Sequence, residues 1–447
     1  MGKNKRKRIG IIEKYNVAFA FFIIAILVIL ILNLFSLDFF PEKKHEVRKI
    51  YFADNISVAH SEIIDLFNEK YIDEIEVVPI DLSFDKFLTN ERKELFARTL
   101  RSENTRIDIF SVDLIWISRF AKWAEPLDGY FSSDEIARII PKILNNAKYE
   151  KKLYSIPLYL DFGILCYKRD FIRNLPNSAE IEKKLRENIS WKELIDIGTR
   201  YGNGDPFYLF EGESNEGMIC NFLEIVASMG GSYELFNEEI IDNEQALKAC
   251  IFMRDLIHKY KLTPAFVTAG REQDIYPYFL ETNTPFLRSW FSNWFSNQKD
   301  IYLNSEDSLR AIEFVNLPGF EGNRQMTVLG GWNLMINRNC LYKDDAAKFL
   351  KFVLSDESQR IFFDKAGYLP VITEIYDNLE LFRKHVDFPF LEVITDHSVI
   401  RPGSLNYTKV SDIISFHINK VLKGDMEPEK ALKRAADIIA SEKIFIR

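Results

Sequence analysis

The chain has 447 residues, more than one hydrophobic core usually serves, so two or more compact lobes are expected. It is 47% hydrophobic and 28% charged, an ordinary globular balance, and its net charge of −8 argues against nucleic acid as a partner. Four well-separated cysteines form no C-x-x-C pair and six scattered histidines have no ligand spacing, so neither a metal nor a cofactor is expected.

The N-terminus is basic, with Lys3, Lys5, Arg6, Lys7, Arg8 and Lys14. The run Val17–Leu37 that follows is almost wholly apolar, broken by Asn33 and Ser36. At about 1.5 Å per residue it spans roughly 30 Å, one hydrocarbon thickness. It reads as a single transmembrane anchor, with residues 1–16 cytoplasmic and the bulk of the chain extracytoplasmic. The segment reads as uncleaved, since Ser36-Leu-Asp-Phe-Phe-Pro41 has no small-x-small site. No cysteine precedes Cys166, which rules out a lipid-modified N-terminal cysteine. Residues 38–48 form a charged tether.

Ile50–Ala53 reads as a first strand. Ser61–Tyr71 carries the helical stripe Ile63, Ile64, Phe67, Tyr71. A strand at Glu74–Ile80, a helix at Phe84–Arg101 and a strand at Ile107–Val112 follow. Strand alternating with helix is the mark of a parallel sheet covered by helices, in which ligands sit beyond the carboxyl ends of strands. Asp113 and Trp116 lie just past such an end. Ile115–Trp123 reads as a short helix, and Ser132-x-x-Glu135 and Ser190-x-x-Glu193 are capping boxes, the second opening Trp191–Tyr201.

Between those boxes lies Lys151–Asp170. Two strand-like runs, Leu153–Ile156 and Gly163–Tyr167, flank Pro157-Leu-Tyr-Leu-Asp161. Proline is expected to keep the middle segment out of a central sheet position, as an extended crossing. Spaced by two, Tyr159 and Asp161 share one side of that crossing. Further on, Phe207–Phe210 is a strand and Asn215–Met229 and Asn243–Tyr260 are helices. Strands are expected at Thr284–Arg288, Ile312–Leu317 and Asn333–Ile336, the last opened by Gly330-Gly331-Trp332. Helices are expected at Ala346–Leu354, Asp356–Ala366, Asp412–Lys423 and Pro428–Glu442. Cys166 and Cys250 fall in apolar elements and read as buried thiols, with disulfides left open.

Several of these stretches together resemble the extracellular solute-binding proteins of sugar ABC transporters, the maltose/trehalose-binding type. They are Asp108-Ile-Phe-Ser-Val-Asp-Leu-Ile-Trp116 with Phe120-Ala…Glu-Pro-Leu-Asp128, and Leu153-Tyr-Ser-Ile-Pro157 with Gly163…Tyr167-Lys-Arg-Asp170. Leu329-Gly-Gly-Trp332, Ala347…Phe349-Leu350…Phe352, Gly367…Pro370 and Arg401-Pro402 complete the set. The resemblance implies an α/β periplasmic-binding-protein fold of two lobes joined by crossing strands. One lobe is expected from 49–158 with 284–335, the other from 159–283 with 336–400, and 401–447 as helices near the hinge. It implies a monomer that catches a sugar or oligosaccharide, closes on it and docks on ABC permease subunits in the membrane. No Walker-type phosphate loop occurs, so other chains would hydrolyse ATP.

A sugar offers hydroxyls at its edge and C–H groups on its face. Its site therefore wants carboxylates and Arg for the one and aromatic planes for the other. By the same resemblance, Arg92, Asp113, Tyr159, Asp161, Trp290, Gly330, Trp332 and Arg401 meet the sugar, and Trp116 joins them by its position. Asp113 has a competing role as a helix cap, and Arg401 as a surface ion pair. Two other functions are weighed. One is a glycoside hydrolase with Asp113 and Asp161 as its acid pair. The other is an anchored sensor that signals to a membrane partner.

Overall fold

The structure, a computed structural model, describes residues 16–17, 19–31, 47–82, 89–102, 106–231, 243–302, 312–377 and 388–444. By its contacts the chain divides into two units, 1–48 with 71–76 and 49–70 with 77–447. In the first unit, residues 16–17 and 19–31 are helical and their apolar side chains, Phe21 and Ile29 among them, are exposed. Among the described residues no helix is long and apolar enough to cross a membrane. The rest of the expected anchor, 32–37, and most of the tether lie outside the described residues, as does the start of the helix expected at Phe84.

The strands in chain order are β1 Arg48–Asp54, β2 Ile75–Asp81, β3 Ile109–Asp113, β4 Lys148–Tyr149, β5 Lys152–Leu153, β6 Ile156–Lys168, β7 Tyr208–Leu209, β8 Phe286–Trp290, β9 Ile312–Val315, β10 Thr327–Ile336 and β11 Ser398–Ile400. β4 and β5 make a small ribbon of their own. The others form one sheet in the order β2-β1-β3-β10-β6-β8-β7, with β11 beside β10 and β9 beside β6. β1 and β3 are parallel, with Phe52 opposite Ile109. All five residues of β3 are buried, as suits a strand covered on both faces.

β10 pairs antiparallel with β3 on one side and with the first half of β6 on the other. The second half of β6 pairs with β8 and β9. These two long strands are therefore shared by both flanks of the sheet.

β6 corrects one expectation. It runs unbroken through Pro157 and sits in the middle of the sheet. The pairing slips there: Trp332 faces Tyr159 but Asn333 faces Pro157. This irregularity takes the residue that has no N–H to donate, which is the setting in which a strand tolerates proline. β10 corrects another, since Gly330 and Gly331 lie inside the strand and not before it.

β8 pairs with β7 and with the second half of β6. Helices Lys343–Val353 and Asp356–Ala366 pack beside helix Val58–Lys70 and β1 instead. Phe349 lies 5.1 Å from Phe67 and 5.5 Å from Phe52, and Phe362 lies 5.0 Å from His60. Segments 284–290 and 343–366 thus pack on different flanks of the sheet.

Other local readings hold. Ser132 and Ser190 each close a full capping box, and Trp191–Tyr201 is the helix that the second box opens. Asn215 and Asn243 cap the helices Glu216–Ser228 and Glu244–His258. Gly367 ends its helix at φ 68°, in the left-handed conformation glycine favours. All four cysteines are free and buried.

Candidate functional site

A cleft of about 550 Å³ opens where β3, β6, β8 and β10 end or cross. Strand register builds its floor. Trp332 on β10 faces Asp113 on β3 and Tyr159 on β6, Gly330 faces Asp161, and Trp290 on β8 faces Gly163. Asp113, Tyr159, Asp161, Trp290, Gly330, Trp332 and Arg401 all line this cleft. Arg92 and Trp116 are not among its lining residues. They lie behind Trp332, the Arg92 guanidinium 4.5 Å from the ring and the Trp116 indole edge-on at 6.0 Å. Arg92 is fully buried and bonds Asp54 at 2.9 Å, so from this position it supports the indole from beneath.

The two glycines have separate reasons. A Cβ on Gly330 would come 3.1 Å from Cζ3 of Trp290, so its absence lets that indole lie close against the strand. Gly331 has φ 150°, and a Cβ there would meet the Tyr159 carbonyl oxygen at 2.6 Å.

Tyr159 stacks on Tyr368, ring centroids 3.8 Å apart and planes 6° from parallel. Asp161 has a structural task that its sequence position hid. It accepts from Ser292 N at 3.1 Å and from Ser292 Oγ, and so caps the helix Phe291–Tyr302. Burial pushes its carboxyl up to about 6, although the Ser292 donors pull the other way.

Asp113 lines the cleft and also takes the helix-cap role. It caps Ile115 N at 3.2 Å and accepts from Arg401 Nη2 at 3.0 and 3.1 Å. Arg401 extends Nη1 to Glu216 at 2.8 Å. Glu216 also accepts from Ser411 at 2.6 Å and from Tyr407. Burial works against charge on Arg401, but the carboxylates of Asp113 and Glu216 outweigh it and raise its pKa. Arg401 is 4% exposed, so it is no surface ion pair.

Sequence reasoning missed Glu216, Glu211, Glu272 and Tyr368, which also line the cleft. Glu216 directly follows the Asn215 cap, and that was its one available signal. Glu272 opens the helix Glu272–Glu281, which Pro277 conceals from a periodicity reading. Burial and then the Glu272 charge push the Glu211 carboxyl up to about 7, and loss of water around the cleft wall pushes Glu272 up to about 7 although its side chain is open to the cleft. Among the described residues no group of three His, Cys, Asp or Glu is placed to hold a metal.

A family model for bacterial extracellular solute-binding proteins matches residues 54–360. A probable ABC transporter-binding protein of Deinococcus radiodurans is 25% identical over 351 residues, 77% of this chain and 82% of the relative. Among solved structures, maltose-bound MalE3 of T. maritima shares the fold at TM-score 0.75 and 26% identity, covering 89% of this chain and 100% of that one. A Thermotoga lettingae solute-binding protein bound to α-D-tagatose matches at TM-score 0.74 and 22% identity, covering 89% and 99%. The α/β periplasmic-binding-protein fold expected from the motifs is thereby borne out. The hydrolase reading is set aside, because this chain belongs to the bacterial extracellular solute-binding protein family and is a binding protein, not an enzyme.

Proposed function

We propose that the protein is the substrate-binding subunit of an ABC importer and that its solute is a sugar, oligosaccharide or polyol. The observation that carries this reading is the shared cleft. It sets two indoles, Trp290 and Trp332, and a phenol, Tyr159, beside carboxylates and an arginine within about 550 Å³. Flat rings serve the C–H face of a sugar and charged acceptors serve its hydroxyls. The relative in Deinococcus radiodurans is named as an ABC transporter-binding protein, and two structural neighbours hold maltose and tagatose. The permease and its ATPase are separate chains in this reading.

Closure follows from the two shared strands. The flanks of the sheet act as lobes that swing about β6 and β10, as binding proteins of this architecture do. Segments 284–290 and 343–366 travel with the flanks they pack on.

Val17–Leu37 serves as the anchor, holding the binding body outside the membrane. The preceding basic cluster and the apolar exposure of the helical stretch 19–31 support this. N-terminal sequencing of membrane-fraction protein is expected to begin at the natural start. A start near residue 40 would refute the anchor. Co-purification with permease subunits supports import, and co-purification with a kinase would favour a sensor.

Calorimetry against a panel of di- and oligosaccharides and polyols tests the function. Binding by at least one is expected, and Trp332→Ala is expected to cost about 2 kcal/mol of it, roughly thirtyfold in Kd. Binding of a non-sugar solute with no carbohydrate response would overturn the reading.

A further inference from the structure

The carboxylates around the cleft fall into two kinds. Asp113 and Glu216 share Arg401, Glu213 engages Arg271, and Glu224 engages Arg288. Asp161, Glu211 and Glu272 have no ion-pair partner among the described residues. Their polar partners are Ser292, Asn215 and Asn293. Five carboxylates thus line the cleft against two guanidiniums, and one of those, Arg271, is committed to Glu213. Among the described residues, the cleft lining therefore holds more carboxyls than guanidiniums.

A small side pocket of about 20 Å³ adjoins the cleft and shares Glu211, Glu272 and Trp290 with it. That is room for one water-sized group. Ser289 forms part of its wall. It is 4% exposed, and its hydroxyl has no hydrogen-bond partner among the described residues. Glu211 is half-buried, and Glu272 opens to the cleft.

We propose that this pocket, walled by Glu211, Glu272 and Ser289, is an ammonium subsite, and that the solute is a sugar or polyol bearing a protonated primary amine. The inference rests on the carbohydrate reading of the cleft and narrows it. An ammonium group has three donors and no acceptor, and it is about the size of a water. Two carboxylates and one idle hydroxyl match it donor for acceptor. A neutral hydroxyl offers one proton and leaves the charge of the pair unmet.

Around the pair stand Arg288 held by Glu224, Arg271 held by Glu213, and the acid Asp161, with Tyr276 in the pocket wall. Arg288 also lines the pocket and pulls both glutamates toward the charged form, but its hydrogen bonds go to Glu224, and those of Arg271 to Glu213. Both carboxyls are pushed up to about 7, so below that pH the pair carries protons that an incoming cation expels. Binding of the amine is therefore coupled to proton release.

The test is calorimetry on the full chain at pH 6.0 and 7.5, in buffers of different ionisation enthalpy. The probes are amine and hydroxyl pairs on one skeleton: glucosamine and glucose, galactosamine and galactose, the glucosamine disaccharide and cellobiose, glucamine and sorbitol. The N-acetyl forms of the amino sugars serve as uncharged controls. In the best-binding pair the amine is expected to bind about tenfold or more tightly than its hydroxyl partner at pH 7.5, as a charged hydrogen bond allows. It should release protons at pH 6.0 and lose its advantage in Glu211→Gln and Glu272→Gln. Hydroxyl ligands should lose less affinity in those variants than their amine partners do. If hydroxyl members bind and no amine exceeds its partner, the subsite is refuted while the carbohydrate reading stands. An amine preference that survives both substitutions refutes it too. If no member of any pair binds, both readings fall.

Discussion

Arg401 places one nitrogen 3.0 Å from Asp113 and another 2.8 Å from Glu216, joining the end of β3 to the start of helix Glu216–Ser228. Both acids line the cleft, and the arginine between them is almost wholly buried. Replacing it with methionine leaves two enclosed carboxylates without a cation. Loss of one member of a buried pair costs about 3–5 kcal/mol. The orphaned acids would then resist ionising, so the deficit should shrink as pH falls and they protonate. Urea unfolding of Arg401→Met against the parent at pH 5 and pH 8 checks this. An equal deficit at both values would contradict it.

Asp54 shows the opposite sign. Burial alone would push its carboxyl up, but His60 at 3.3 Å, Arg92 at 2.9 Å and the Ser111 hydroxyl hold it below the usual carboxylate range. Stability from a depressed acid is present above its unfolded pKa, about 4, and is lost as pH falls through the folded value. Arg92→Met removes part of that hold. It is expected to destabilise by about 3 kcal/mol or more at neutral pH and to move acid unfolding to higher pH. It should also weaken solute binding, because the guanidinium backs Trp332. Unchanged acid unfolding would contradict the account.

The two glycines of β10 should separate stability from binding. Gly331→Ala forces a side chain into a positive-φ backbone and against the Tyr159 carbonyl, and a loss of about 1–3 kcal/mol is expected from the backbone alone. Gly330→Ala meets the Trp290 ring at 3.1 Å, so the indole must shift by tenths of an ångström. Its stability should change by less than about 1 kcal/mol while solute affinity falls. Thermal melts and calorimetry on both variants read the two effects. Equal melting losses would contradict the distinction.

Asp161 gives a pH signature to the empty protein. Its carboxyl is pushed up to about 6, above its unfolded value near 4. A raised acid contributes fully below the unfolded pKa, and that contribution is lost as pH rises through the folded one. The parent should therefore lose stability between about pH 4 and pH 6 relative to Asp161→Asn, in which this group does not titrate. Denaturant midpoints across that window check the sign.

What was legible in the sequence was whatever local chemistry decides. Capping boxes at Ser132 and Ser190, the left-handed stop at Gly367 and the β3 end at Asp113 need only neighbours in the chain. The family motifs also placed seven of their residues on one cleft. Long-range register was not legible. Pro157 argued against a central strand, yet the slip opposite Asn333 absorbs it. The places of Arg92 and Trp116 behind Trp332 depend on that register too, and no local pattern records them. Glu272 stayed hidden because Pro277 masks its helix, and Glu216 because its partner Arg401 lies 185 residues away.

The central claim is that solute lies between the indoles and the acids of one cleft. A crystal structure of the protein with the solute that co-purifies with it tests this most directly. The account predicts a carbohydrate or polyol with a face against Trp290 or Trp332 and polar groups within hydrogen-bond distance of Asp161, Glu211 or Glu272. A non-carbohydrate solute, or one seated away from both indoles, would contradict it.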